Sequence, residues 1–543
     1  MRSGNTIAMR KVQYALLVLM FCGVQAFAQT SVGNDEVIIV KEHDSKIKDA
    51  DKISVAPNIP QLEDQKMKFD YTIPAREYKE MAIEPNPMKP IALSKEKLER
   101  FNQSYIKLGF GSQLSPLVEF MYNGKGKNVR YGAEVYHFNA TPFSIKNQRF
   151  FDTRVGAYVK AFPSTFLFTT EFNFRNYINH FYGNQNAETL TRKQIRQTFQ
   201  DYDVVATFGS LKKNAPEIDF STKVQFNYFN ELAGKSNEFF LHGGIIVGKK
   251  FLKVHSLSGS FDFDISKFKS TRQSLWRNYF LLNLAYGYND QNWLARGGIT
   301  LAVEGDKLYP LPDLYLQKKL YEKYVHAFVG WDIKYLKNSY RNFAFDNNFV
   351  NSDVELKNSR VSNLYGGLKG TASGFSYLVS AGFKQIANQA FYYNDYFDSK
   401  RFYVAYDAKV KVINGHLELG YNFKDDFTAL LSLDYNHYTL SANDKAWYHP
   451  DFSANLKLRY NLKGKIVVGA DILGFTNYYG HVSPTDIRLI KGTADANLSL
   501  EYIFNKRFSF FGNLNNIAHQ KYQRWGNYPV YGINGLVGAK FAF

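Results

Sequence analysis

Phe452-Ser-Ala-Asn-Leu-Lys-Leu-Arg-Tyr-Asn-Leu462 is the stretch that decides the fold. Phe452, Ala454, Leu456, Leu458, Tyr460 and Leu462 share one face, and Ser453, Asn455, Lys457, Arg459 and Asn461 share the other. An amphipathic helix would space its apolar residues by three or four, so strict period two over eleven residues reads as a strand. Residues 494–504 repeat the pattern, with Ala494, Ala496, Leu498, Leu500, Tyr502 and Phe504 opposite Asp495, Asn497, Ser499 and Glu501. Residues 404–412 set Val404, Tyr406, Ala408, Val410 and Val412 against Ala405, Asp407, Lys409 and Lys411. Segments 257–265, 325–335, 417–423 and 427–435 behave in the same way.

Soluble antiparallel sheets alternate too, but their strands average about five to six residues. The strands here run to roughly ten, the length that a tilted strand needs to cross hydrocarbon. Their apolar faces often begin or end in Tyr, Phe or Trp, as interfacial girdles do, while the opposite faces carry full charges. The pattern therefore predicts an all-β fold, a transmembrane antiparallel barrel of about 22 strands within a range of roughly 16–22. Asn414-Gly415 and Lys424-Asp425-Asp426 read as short periplasmic turns, and 177–200 and 304–322 as longer extracellular loops.

Composition agrees. The chain has 543 residues, 45% of them hydrophobic and 17% aromatic, with 39 Tyr and 47 Phe, yet its mean hydropathy is −0.35. A helical membrane protein would be more apolar, and a disordered chain poorer in aromatics. The net charge of +18 is spread along the chain rather than gathered in runs. In an exported protein it suits lipid headgroups or anionic solutes, and no nucleic acid is expected as a partner.

Export is written at the N-terminus. Arg10 and Lys11 precede a short apolar run over 12–24, and Ala26-Phe27-Ala28 is a cleavage site, so residues 1–28 read as a signal peptide. Cleavage there removes Cys22, the single cysteine, and with it thiol chemistry and Cys-ligated metals. Residues 29–100 are rich in charge and proline and read as a flexible periplasmic segment, with the barrel at 101–543. Within that segment Glu36-Val37-Ile38-Ile39-Val40 is an apolar strip flanked by Asp35 and Lys41, able to add as a strand to a partner's sheet edge.

No motif carries chemistry. None of the eleven histidines has a metal spacing such as H-E-x-x-H, and no G-x-S-x-G elbow is present, so neither an enzyme nor a cofactor is expected. Function then falls to the lumen, where the polar faces would place Asp407, Lys409, Lys411, Lys457, Arg459, Asp495 and Glu501.

The end of the chain is the most specific local signal. Gly538, Phe541 and terminal Phe543 resemble the signal read by the outer-membrane barrel-assembly machinery, although Leu536 stands where a polar residue is usual. Upstream, Asn513-Leu-Asn-Asn, Tyr522 and Tyr528-Pro529 followed by Gly532 resemble the closing hairpin of TonB-dependent receptors, a match of about thirty residues. That resemblance implies a 22-stranded barrel in the outer membrane, lipid and lipopolysaccharide around it, and solute uptake. It also makes the strip Glu36–Val40 similar to a TonB box, with TonB or another periplasmic protein as its partner. The family's plug of well over a hundred residues has no counterpart in 29–100. A passive porin and a scaffold barrel for a larger outer-membrane complex stay open beside uptake. An unplugged barrel would breach the membrane, so either a partner protein or part of residues 29–100 is expected to occupy it, the segment folding back into or across the periplasmic mouth and leaving Asp35–Lys41 free.

Overall fold

The computed structural model describes residues 104–142, 145–163, 165–183, 190–211, 218–396, 398, 400–424, 426–483 and 486–543. The readings of 1–28 as a signal peptide, of 29–100 as a flexible segment and of Glu36–Val40 as a TonB box lie outside these residues.

Twenty-two antiparallel strands form one sheet, each paired with its sequence neighbours in the barrel. The sheet closes on itself where Tyr105–Gly111 pairs with Asn534–Ala542, in register from Tyr105 opposite Ala542 to Gly111 opposite Leu536. Closure leaves no unpaired edge, which is what allows a sheet to sit in lipid. The alternation of the opening segment is expressed directly: Phe452, Tyr460 and Leu462 are exposed on one face of Phe452–Leu462. Cross-strand neighbours Tyr435 and Val468 continue that apolar outer surface.

The first strand starts, and the last strand ends, at the same end of the barrel. Tight turns such as Ser373-Gly374 and 463–465 lie at that end, which is therefore periplasmic. The long connections 337–358, 440–451, 476–492 and 516–533 lie at the other, extracellular end.

Two sequence readings need correction. Residues 304–322 are not a loop: after a turn at Gly305-Asp306, Lys307–Tyr321 is a strand. Pro310 and Pro312 masked it, since proline has no N–H for a ladder. Here both pair only with Trp293–Glu304, and the ladder with Val325–Leu336 begins at Asp313, so neither proline nitrogen is asked for a ladder hydrogen bond. Asn414-Gly415 is likewise not a turn. Phe402–Phe423 runs straight through it, with Gly415 paired to Ala381 on one side and Tyr435 on the other, and neither residue has the positive φ of a tight hairpin turn.

Candidate functional site

The extracellular mouth holds the main buried core. Residues 337–358 leave the strand Val325–Leu336, form the short helix Tyr340–Asp346 (α1), and return to Ser359–Ala372. The Ser339 hydroxyl caps α1 by accepting from the Asn342 N–H at 3.1 Å. Tyr340, Phe343 and Ala344, spaced three and four apart, form its buried face. Tyr340 packs against Phe229 and Phe268 of two wall strands, with ring centroids 5.8 and 5.3 Å apart, and Phe343 meets Tyr392 edge-on at 6.0 Å. Beyond the helix, Phe349 stacks on Tyr528 of connection 516–533 at 3.5 Å. Tyr528 in turn donates to the Lys400 carbonyl at 2.5 Å, and Tyr448 donates to Asn394 Oδ1 at 2.5 Å. Residues of five extracellular connections, among them Phe181, Phe343, Tyr448, Tyr478 and Tyr528, thus share one aromatic core.

Charges pin this core to the wall. Arg341 Nε and Nη2 donate to the two Asp201 oxygens at 2.8 and 2.6 Å, and the Arg341 N–H donates to Glu238 at 2.9 Å. Lys337 pairs with Asp264, and Arg524 with Asp346 at 3.0 Å. Asp201 belongs to Arg196–Ser210, and six strands intervene between it and Val325–Leu336. A contact that skips six strands of a closed barrel crosses the mouth rather than following the rim. Burial disfavours the Arg341 charge, but the hydrogen bonds to Asp201 more than offset this and raise its pKa, so the guanidinium stays charged. Burial lowers the Lys337 pKa against the pull of Asp264, and burial pushes the Tyr340 phenol well above its usual range.

The residues singled out from sequence go to different places. Asp407, fully buried, anchors connection 440–451 by accepting from the backbone N–H groups of Ser441 (3.1 Å), Ala442 (2.9 Å) and Asn443 (3.1 Å). Lys409 and Lys411 share the face of Ile413, which is 57% exposed, while Val410 and Val412 on the opposite face enter the mouth core. These two lysines therefore point away from the lumen. Alternation states which residues share a face but not what each face meets, and at this height the apolar face meets loops instead of lipid. Lys457 and Arg459 lie opposite exposed Tyr460, with Lys457 beside Asp471 on the next strand. Asp495 and Glu501 lie opposite exposed Leu498, Leu500 and Tyr502, and Glu501 accepts from the Ser509 hydroxyl at 2.6 Å.

At the closing seam, a Cβ on Gly538 would come within 2.1 Å of the Leu108 carbonyl and 2.5 Å of the Phe511 ring, so only glycine fits there. Phe541 packs on Phe508 at 4.7 Å and on Phe543 at 6.0 Å. The latch residues Arg341, Asp201 and Lys337 escaped the sequence reading. The signal was present in Ser339, followed by apolar residues at 340, 343 and 344, a capped helical turn inside what otherwise reads as loop. Among the described residues no cluster of three or more His, Cys, Asp or Glu side chains is placed to hold a metal ion.

No protein-family model matches the chain, and no curated protein matches its sequence. Solved structures do match its fold. The siderophore receptor PirA from Acinetobacter baumannii superposes with a TM-score of 0.65 at 10% identity, covering 81% of each chain. The FrpB iron transporter from Neisseria meningitidis gives 0.65 at 10% identity over 82% of each chain. The copper transporter OprC gives 0.62 at 12% identity over 82% of this chain and 80% of its own. The chain thus shares the fold of these receptors and transporters, here a closed antiparallel barrel of 22 strands.

Proposed function

We propose that the protein takes part in solute uptake across the outer membrane through a lumen gated from outside by its own loops. The observation that carries this reading is the aromatic core at the mouth, latched by Arg341 to Asp201 across six intervening strands. A passive porin needs an open eyelet, and a mouth crossed by packed aromatics is the opposite arrangement. The fold shared with a siderophore receptor, an iron transporter and a copper transporter supports uptake as the task. In this reading residues 1–28 are removed on export and 29–100 reach into the periplasm. The strip Glu36-Val37-Ile38-Ile39-Val40 offers TonB a strand, and Gly538, Phe541 and Phe543 are read by the barrel-assembly machinery. Lumen charges such as Lys457, Arg459, Asp495 and Glu501 would line the path.

Planar-bilayer conductance of the full chain tests the gate: no steady current is expected, and a large constant current would establish a porin. Growth on limiting iron or copper, with and without an intact 36–40 strip, tests energy coupling. The depth of the mouth core also favours a second reading, a permanently sealed barrel that scaffolds a complex. Stoichiometric partners on purification, together with unchanged growth in the deletion strain, would select it.

A further inference from the structure

Two Lys-x-Lys pairs stand on the outer surface of the barrel at matching heights. Lys409 and Lys411 flank Val410, whose side chain is in the mouth core, so both lysines face outward. Lys267 and Lys269 flank Phe268, also in that core, and face outward likewise. Below Lys411 on the same face come Ile413, Gly415, Leu417, Leu419 and then exposed Tyr421. Below Lys267 come Ile265, Phe263, Phe261, Gly259 and exposed Leu257, the cross-strand partner of exposed Tyr286. Ten residues separate Lys411 from Tyr421, and ten separate Lys267 from Leu257. At ~3.3 Å per residue and a tilt of ~40° that is a climb of about 25 Å, the height of a barrel's apolar band. Both pairs therefore sit where the outer leaflet's hydrocarbon ends and its headgroups begin.

Their surroundings suit an anion. No carboxylate pairs with any of the four ammonium groups among the described residues; Asp407, two residues from Lys409, accepts from its backbone N–H at 3.1 Å and is taken up by connection 440–451. Lys267 Nζ lies 5.0 Å from the centre of the Trp276 ring, and that indole is 57% exposed, as an interfacial anchor would be. Lys411 is flanked in register by Gln385 and Thr439, both hydrogen-bonding side chains. Two lysines at i and i+2 on one strand have Cα atoms ~6.6 Å apart, a spacing that straddles one phosphate group.

We infer that Lys267/Lys269 and Lys409/Lys411 are two binding sites for the phosphate groups of an outer-leaflet glycolipid, the acyl chains lying on the apolar face below. The inference stands independently of the uptake reading. Native mass spectrometry of the full-length protein in detergent, titrated with bisphosphorylated lipid A, is the test. A lysine near an anionic lipid surface is worth roughly fivefold in affinity, so K267A/K269A/K409A/K411A should weaken binding by at least ~tenfold. The Lys→Arg version should retain it. Lys318, which lies over Trp293 at the periplasmic end, supplies the control, and K318A should change nothing. Equal binding of fully dephosphorylated lipid A, or equal losses in K318A and the quadruple variant, would overturn the inference. So would unchanged binding in the quadruple variant. Binding of inorganic phosphate alone as tightly as lipid A would reassign the sites to a soluble anion and refute the glycolipid. Heat-modifiable gel migration checks that each variant is folded.

Discussion

The two ends of this barrel are built from the same strands by opposite means. At the periplasmic end the chain reverses locally. Ser373-Gly374 (φ 46° and 85°) and Lys463-Gly464 (φ 52° and 65°) turn in the left-handed region, and their outside hydrogen bonds, from the Asn422 N–H to the Gly374 carbonyl and from the Ile503 N–H to the Lys465 carbonyl, reach only the adjoining strand. At the extracellular end contacts are remote in sequence: Gln148 Nε2 donates to the Pro529 carbonyl at 2.8 Å and Tyr182 donates to the same oxygen at 2.9 Å. One end is held by backbone conformation, the other by packing and charge. The aromatic richness of the chain, which from sequence alone is assigned to interfacial girdles, also supplies this second device, since Phe181, Tyr340, Phe349, Tyr448, Trp525 and Tyr528 are all buried at the mouth.

The largest expected effect comes from making the two ends alike. Replacing residues 338–357 with Asn-Gly would join Val325–Leu336 to Ser359–Ala372 by a two-residue turn of the kind preferred in hairpins. The latch and α1 are then gone, and the variant should pass a large, steady current in planar bilayers where the full chain passes none. If the variant stays closed, the block lies elsewhere. Removing 29–100 as well would then show whether that segment obstructs the periplasmic mouth.

A smaller change should loosen the mouth without touching the barrel. Arg341→Ala leaves Asp201, only 6% exposed, without its bidentate partner, and breaking one side of a buried pair costs about 3–5 kcal/mol. Hydrogen exchange in 337–358 should accelerate by two orders of magnitude or more, while the gel mobility of the folded barrel is unchanged. Arg341→Met with Asp201→Leu removes both charges and should recover much of the protection. Equal exchange in Arg341→Ala and the parent would mean that the aromatic core alone holds the loops.

The sequence made the wall far more legible than the mouth, and the reason is physical. A wall strand reports its two surroundings, lipid and lumen, through period two, so Phe452–Leu462 and Thr493–Ile503 could be placed from residue types alone. The mouth core has no period. Phe229, Phe268, Tyr340, Phe391 and Tyr528 come from five separate segments, and only the closed sheet brings them together. Where strands enter that core the wall reading inverts, which is why Lys409 and Lys411 face outward and why Asp407 caps a loop. Gly538 is intermediate. It is visible as a terminal motif, while its steric cause, the Leu108 carbonyl and the Phe511 ring, lies on two other strands.

The smallest effect belongs to the periplasmic end. Gly464 has φ +65° and nothing within 4 Å of where a Cβ would stand. Gly464→Ala therefore meets no neighbour, and its only cost is the left-handed conformation, about 1 kcal/mol for a residue with a Cβ. Set against Phe349→Ala in the mouth, where loss of a buried ring costs about 3–5 kcal/mol, it measures how unequal the two ends are. The barrel should tolerate Gly464→Ala with a thermal midpoint within a few degrees of the parent. Gly464→Asn, whose side chain accepts positive φ more readily, should lie closer still. A large loss of folded barrel in Gly464→Ala would show that the 463–465 turn is coupled to something beyond its own hairpin, and the contrast between a local end and a cooperative end would fail.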